Sequence, residues 1–286
     1  MFEDLELSRF FGRKVALYLF KRGAVEHRFT SRDRDLTIGG ETYVAARGIS
    51  HSEIRQTAAS PQKNQLTVTV PYRMDPNAAD QPVTQVLGDW FNPYPPGERV
   101  LVTVMTTHLG DPDEQVNVEW LGRVLGPKFT DTTLELACDP SYRNARTSGR
   151  QARIGRNCDV PVYSQGEGMC NLDKAAHEVP ATLSAVAGLA LTAPAFAAAP
   201  RNLGGGFIEW TRLDGLTERR TIWSHAGDTV VVNFGAADLA IGLDLSAYPG
   251  CAHNSEACDS YGNGVNYPGY KNLPTSDPLP RSQAWG

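Results

Sequence analysis

Tyr248-Pro-Gly-Cys-Ala-His-Asn-Ser-Glu-Ala-Cys258 sets two cysteines with six residues between them in a stretch without apolar periodicity. An earlier pair, Cys158 and Cys170, is separated by eleven residues, and about eighty residues of strand-like sequence lie between the pairs. Two distant loops, each carrying two soft ligands, read as one site that pins down the segment between them. Such a site holds a metal ion or an iron–sulfur cluster, or it is two disulfides. Structural zinc sites usually include a tight C-x2-4-C knuckle, and neither pair has that spacing. Longer loops can wrap a bulkier group, and four cysteines match the ligand count of a four-iron cluster. Zinc and disulfides stay open on spacing alone.

Working outward, the chain has 286 residues, 41% hydrophobic and 21% charged, with a net charge of −5. The length allows one large or two medium domains with a sizeable core. The composition is that of a globular protein, and no basic excess marks a nucleic-acid reader. The opening Met1-Phe-Glu-Asp-Leu-Glu is acidic where a signal peptide is basic, so no export is expected. A reducing compartment in turn disfavours disulfides. The segment 181–200 is Ala-rich but broken by Pro194, Pro200 and several hydroxyl residues, too weakly apolar for a membrane span.

The segment before the first cysteine pair reads as strands. Val15 to Phe20 is an apolar run, and Asp35 to Val44 is two short runs around Gly39-Gly40, a hairpin. Gln65 to Pro71 alternates Leu66, Val68 and Val70 with threonines, the pattern of a half-buried strand. Asp80 to Trp90 has Val83, Val86, Leu87 and Trp90 at helical spacing, and the prolines of 92–97 end it. Arg99 to Thr107, Gln115 to Val124 and Thr132 to Cys138 predict a meander with turns at Asp111-Pro112 and Gly126-Pro127. Cys138 ends an apolar strand and reads as a core thiol. Residues 139–157 carry five arginines and read as a solvated linker or as a basic strip for an acidic neighbour.

From Val179 to Leu245 the pattern is again β, with Asp214-Gly215 as one hairpin turn and Ala226-Gly-Asp228 as another. Five or six short strands predict a small barrel or sandwich. Gly204-Gly205-Gly206 lacks the Lys-Ser/Thr of a phosphate loop and reads as a turn or bulge. The tail after Cys258 is rich in Tyr, Gly, Asn and Pro and must pack on something, with the cysteine site and partner subunits the natural candidates.

Other chemistry is sparse. His253 lies inside the second cysteine loop and is an alternative ligand. His225 reads as a hydrogen-bonding structural residue and His177 as exposed. Asp33, Asp35, Asp111, Asp113 and Glu114 read as solvated loop acids. A cysteine peptidase needs a thiolate beside a His, usually at a helix N-terminus. No helix signal follows Cys158 and no signature places a His beside it, so an enzyme is not expected.

Three stretches carry a family resemblance. They are Phe29-Thr-Ser-Arg-Asp-Arg-Asp-Leu-Thr-Ile-Gly-Gly-Glu-Thr-Tyr43 with Gly48-Ile-Ser50, then Cys158 with Gly168-Met-Cys-Asn-Leu-Asp173, and Tyr248 to Cys258. The last continues through Tyr261-Gly-Asn263, Asn266-Tyr-Pro-Gly-Tyr270 and Asp277-Pro278. Together they resemble the BR0599-like phage tail protein family and the related hub protein of alphaproteobacterial gene transfer agents. The C-terminal cysteines are also similar to those of lambda-type tail tip proteins, which hold a 4Fe-4S cluster. In the first loop, Asp159 to Gly168 departs from the family's His-Ala-Leu-Tyr-Gly-like run.

The resemblance implies a mainly β fold. A β-rich hub domain would span 1–150, and an iron–sulfur domain 151–286, with a small β-barrel at about 178–247 inserted between the cysteine pairs. It implies Cys158, Cys170, Cys251 and Cys258 as ligands of a 4Fe-4S cluster, with zinc the alternative. It implies a structural, non-enzymatic baseplate or tail-tip hub in the virion of a siphophage or phage-like particle, assembled in the host bacterial cytoplasm. Expected partners are two further copies in a homotrimeric ring, the distal tail protein, the tape measure protein and other tail-tip proteins. DNA would pass through transiently during delivery, without sequence-specific binding, and no membrane span is expected. The alternatives are a tail-associated, cysteine-dependent cell-wall hydrolase and a zinc-stapled binding module.

Overall fold

The computed structural model describes residues 2–8, 12–54, 64–141 and 155–274. The chain divides into two compact units, Met1–Ser148 with Thr211–Glu218, and Gly149–Trp210 with Arg219–Gly286.

In the first unit, α1 (Phe2–Leu7) precedes β1 (Lys14–Arg22), β2 (Val25–Thr30), β3 (Leu36–Ile38), β4 (Glu41–Ala45), β5 (Ser50–His51) and β6 (Leu66–Pro71). Then come α2 (Gln85–Asp89), β7 (Val100–His108), β8 (Val116–Phe129) and β9 (Thr133–Pro140). Among the described residues these strands form a nine-stranded sheet in the order β3-β4-β2-β1-β7-β8-β9-β6-β5. Pairing is antiparallel except between β2 and β4, which run parallel. The alternation in β6 does what period two requires: Leu66, Val68 and Val70 are buried while the threonines between them are half-buried. They join Tyr18, Phe20, Val102, Val104, Trp120, Leu134 and Leu136 in the main core. Cys138 belongs to the same core and is fully buried. Burial pushes its thiol pKa up to about 12. A smaller core of Val15, Leu17, Ile38, Tyr43 and Met105 uses other residues of β1, so this strand is apolar on both faces.

Three details depart from the sequence reading. Gly126-Pro127 is not a turn. It lies inside β8, where the register with β9 shifts between Val124 and Gly126. The pairing of β8 with β7 extends only to Arg123. Pro127 therefore sits on a stretch with one partner strand, the setting in which a strand tolerates proline. The helix expected over 80–90 shortens to Gln85–Asp89. Asp111 is no solvated acid: it is buried, and its carboxylate accepts from the N–H groups of Asp113 and Gln115 at 3.2 and 3.3 Å. Most of the arginine-rich segment 139–157 lies outside the described residues.

The second unit's sheet is built from β10 (Val179–Thr182), β11 (Ala185–Ala187), β12 (Ala190–Thr192), β13 (Phe207–Thr211), β14 (Thr217–Ala226), β15 (Thr229–Val232) and β16 (Asp244–Tyr248). A single-turn helix, α3 (Pro194–Ala197), follows β12. Among the described residues the sheet order is β10-β16-β13-β14-β15-β12-β11. The expected barrel is thus a seven-stranded sheet curled into a half-barrel, whose end strands β10 and β11 follow one another in the chain. The chain bends at Leu183-Ser184, where Leu183 N–H donates to Leu243 and Ser184 N–H to Thr192. Leu191, Phe196, Ile208, Trp210, Ile222 and Val230 fill its core. The triple glycine is a turn. Gly205 has φ +73°, and a Cβ on Gly206 would meet the carbonyl oxygen of Tyr248 at 1.9 Å. Among the described residues no helix is long and apolar enough to cross a membrane.

Candidate functional site

The two cysteine pairs lie on the segments that lead into β10 and out of β16. The first loop is folded back on itself by polar side chains. Asn171, at φ +55°, accepts from Gly166 N–H through Oδ1 at 2.9 Å and donates to the Gly166 carbonyl through Nδ2 at 3.0 Å. Ser164 Oγ accepts from Cys170 N–H at 3.3 Å. Val160, Tyr163 and Leu172 turn inward from this loop. The Tyr163 hydroxyl donates to the Pro249 carbonyl at 2.8 Å, which ties the loop to the end of β16.

The second loop contains a helix that periodicity could not reveal, α4 (Ser255–Ser260). Asn254 caps it by accepting Ala257 N–H at 2.8 Å, so Asn-Ser-Glu-Ala was a readable N-terminus. Cys251 precedes this helix and Cys258 lies in its last turn. The chain then turns at Gly262, φ +67°, and brings Asn263 back beneath the helix. Tyr261 donates its hydroxyl to the Gly250 carbonyl at 2.9 Å.

These folds bring Cys158, Cys170, Cys251 and Cys258 to the wall of one cavity. Val160, Leu172, Tyr261, Asn263, Tyr267 and Pro268 complete much of its wall. The tail after Cys258 therefore packs on the cysteine site, as one of the two expected alternatives. Residues 275–286 lie outside the described residues. All five cysteines are free thiols, and the four at the cavity are half-buried. Burial raises the pKa of Cys158 and of Cys258, and the neighbouring cysteines add to the rise in both. Among the described residues, however, no three His, Cys, Asp or Glu side chains form a set that could hold a single metal ion.

The surrounding polar groups divide the four thiols into two kinds. Cys251 Sγ accepts from His253 N–H at 3.4 Å, and Cys170 Sγ lies 3.7 Å from the Asn263 amide nitrogen. Cys158 and Cys258 instead direct their S–H groups to the carbonyls of Val160 and Asn263. His253 enters the site through its backbone: at φ +58° it also accepts Cys158 N–H at 2.7 Å. His225 is structural, as expected. Its Nδ1 accepts from Leu203 N–H and its Nε2 donates to the Gly227 carbonyl. His177 is half-buried rather than exposed, because its ring packs edge-on against Tyr261 at 5.0 Å. The sequence reading missed Tyr163, Tyr261 and Asn263 as builders of the site.

Comparison with known proteins gives three findings. Residues 202–277 match the family model described as "Phage conserved hypothetical protein BR0599". That stretch contains Cys251 and Cys258 but not the first pair. An uncharacterized protein of Xylella fastidiosa (strain 9a5c) is 43% identical over 178 residues, 62% of this chain and 36% of that protein. The chain thus spans about a third of the length of the curated relative it matches. Among solved structures, a chain of the "Virion of native gene transfer agent (GTA) particle" superposes with a TM-score of 0.68 at 16% identity. The match covers 97% of this chain and 95% of that one, so the whole fold is shared. The family and fold findings support the resemblance to BR0599-like phage tail proteins.

Proposed function

We propose that this chain is a structural protein of a phage or phage-like particle, and within it a baseplate or tail-tip hub. The observation that carries this reading is the near-complete fold match to a virion chain, joined by the BR0599 match over the second cysteine loop. In this role the chain joins the tail tube to the tip as a homotrimeric ring. A ring requires head-to-tail contacts, because a two-fold interface would close a dimer. The distal tail protein, the tape measure protein and other tip proteins are its neighbours, and DNA passes through the opening on delivery. Its place is the virion, after assembly in the bacterial cytoplasm.

Cys158, Cys170, Cys251 and Cys258 would hold a 4Fe-4S cluster. The fit rests on four soft donors lining one cavity, which match the ligand count of a four-iron cluster; zinc is the alternative occupant. The cluster would supply four bonds to loops that have little core of their own; a structural role follows. The raised pKa values of Cys158 and Cys258 run opposite to the depressed value that a cysteine nucleophile needs. This argues against the hydrolase reading.

The test is metal and acid-labile sulfide analysis of anaerobically purified protein, with parallel electron microscopy of particles from cells lacking the gene. About four irons and four sulfides per chain, and particles with defective tail tips, support the reading. Zinc without sulfide removes the cluster, and normal particles remove the hub.

A further inference from the structure

We infer that Asn263 is a positioning residue of the four-thiol site: it fixes Cys170 against Cys258 and supplies an N–H donor to the Cys170 sulfur. The inference rests on the cluster reading above. Asn263 holds Cys258 through its backbone. Its N–H donates to the Cys258 carbonyl at 3.0 Å; the Cys258 thiol also donates to the Asn263 carbonyl at 3.2 Å, a bond given up once the sulfur is a thiolate ligand. Its side chain works on the other loop. Nδ2 donates to the Cys170 carbonyl at 2.6 Å and lies 3.7 Å from Cys170 Sγ. A carbonyl can only accept, so the amide must present its NH2 group to Cys170. Oδ1 then faces the other way, where it accepts from Asn266 Nδ2 at 2.7 Å. The residue is 7% exposed, and a buried amide matched on both ends has little freedom to turn.

An N–H aimed at a cysteine sulfur withdraws electron density from it, and hydrogen bonds to ligand sulfurs are one of the levers that set a cluster's potential. His253 N–H makes the same kind of contact with Cys251, but as a backbone group. Asn263 does so with a side chain, so its identity can change the site without altering the chain's course.

The test uses the full chain, prepared anaerobically, as wild type, Asn263→Ala, Asn263→Asp and Tyr163→Phe. Asn263→Asp keeps the shape but can place a carboxylate beside Cys170. Tyr163→Phe removes a buried hydrogen bond of the same loop that touches no sulfur. The readouts are iron and sulfide content, the rate of bleaching by a chelator, and the midpoint potential. Both Asn263 variants are expected to lose the cluster roughly 10- to 100-fold faster and to shift the potential downward, Asn263→Asp the further. A folded Asn263 variant that takes up no iron is the extreme of the same loss. Tyr163→Phe is expected to shift the potential less than either Asn263 variant, whatever its stability. A loaded wild type with Asn263 variants unchanged in potential and bleaching overturns the inference alone. So does a Tyr163→Phe protein whose potential shifts as far as theirs. A wild type without iron and sulfide overturns the cluster reading and the inference with it.

Discussion

The backbone N–H of Cys158 donates to the carbonyl of His253 at 2.7 Å, so the two cysteine loops are joined without any metal. His253 makes this contact from a left-handed backbone, φ +58°. Its role is conformational, and glycine adopts that geometry without the Cβ penalty. His253→Gly is expected to leave stability within about 1 kcal/mol of wild type and to keep the metal content. His253→Val should lose both, because a β-branched residue resists positive φ. Thermal melts and iron analysis check this, and loss of metal in His253→Gly would make the ring a ligand.

Within the first unit, Arg22 and Glu218 form an ion pair with side chains 1% and 2% exposed. Glu218 also accepts Gly97 N–H at 2.8 Å. Removing one partner of such a pair leaves a buried charge uncompensated, at about 3–5 kcal/mol. Glu218→Ala is expected to lower the urea midpoint accordingly. The double change Arg22→Met with Glu218→Leu should recover much of the loss, since apolar replacement of both partners is often neutral.

Glu209 sets a pH dependence in the second unit. Burial pushes its carboxyl pKa up, but hydrogen bonds from Lys174 and Arg219 outweigh that and hold it below the ordinary 4.5. A depressed carboxylate pKa stabilises the fold above the unfolded value, and this contribution is lost as pH falls from 4.5 through the folded value. Glu209→Gln should therefore be less stable than wild type at neutral pH. The two melting curves should converge as the pH is lowered from 4.5 through the folded value.

Cys138 differs from the other four cysteines. It is fully buried, with its pKa pushed up to about 12, and its Sγ donates to the Leu136 carbonyl. A thiol-reactive probe is expected to label the four cavity cysteines of apo protein and to reach Cys138 only after unfolding. Cys138→Ala should keep the full iron content while lowering the melting temperature. Labelling of Cys138 in the folded protein would contradict this.

Much of the first sheet was legible because its strands carry their own signals. Leu66-Thr-Val-Thr-Val70 and the Gly39-Gly40 hairpin were set by side-chain alternation and turn chemistry, both local. Gly126-Pro127 misled because the same residues that mark a turn also suit a bulge on a strand with one partner, and only the reach of β7 decides between them. α4 is too short to show periodicity, so its Asn254 cap was the only signal. The meeting of the four cysteines followed from their paired spacing. The part of Asn263 did not, because a lone asparagine in a Gly-rich tail gains its meaning only from what folds against it.

The first and last strands of the second sheet, β10 and β16, are antiparallel neighbours, with Val179 opposite Ala247. The chain consequently enters and leaves the sheet at adjacent points, and both points open onto the cysteine loops. The sheet between them is thereby held at one socket, apart from Thr211–Glu218, which belongs to the first unit. A change of length in an exposed turn of this sheet, such as Ala226-Gly-Asp228, therefore leaves the socket and its four sulfurs where they are.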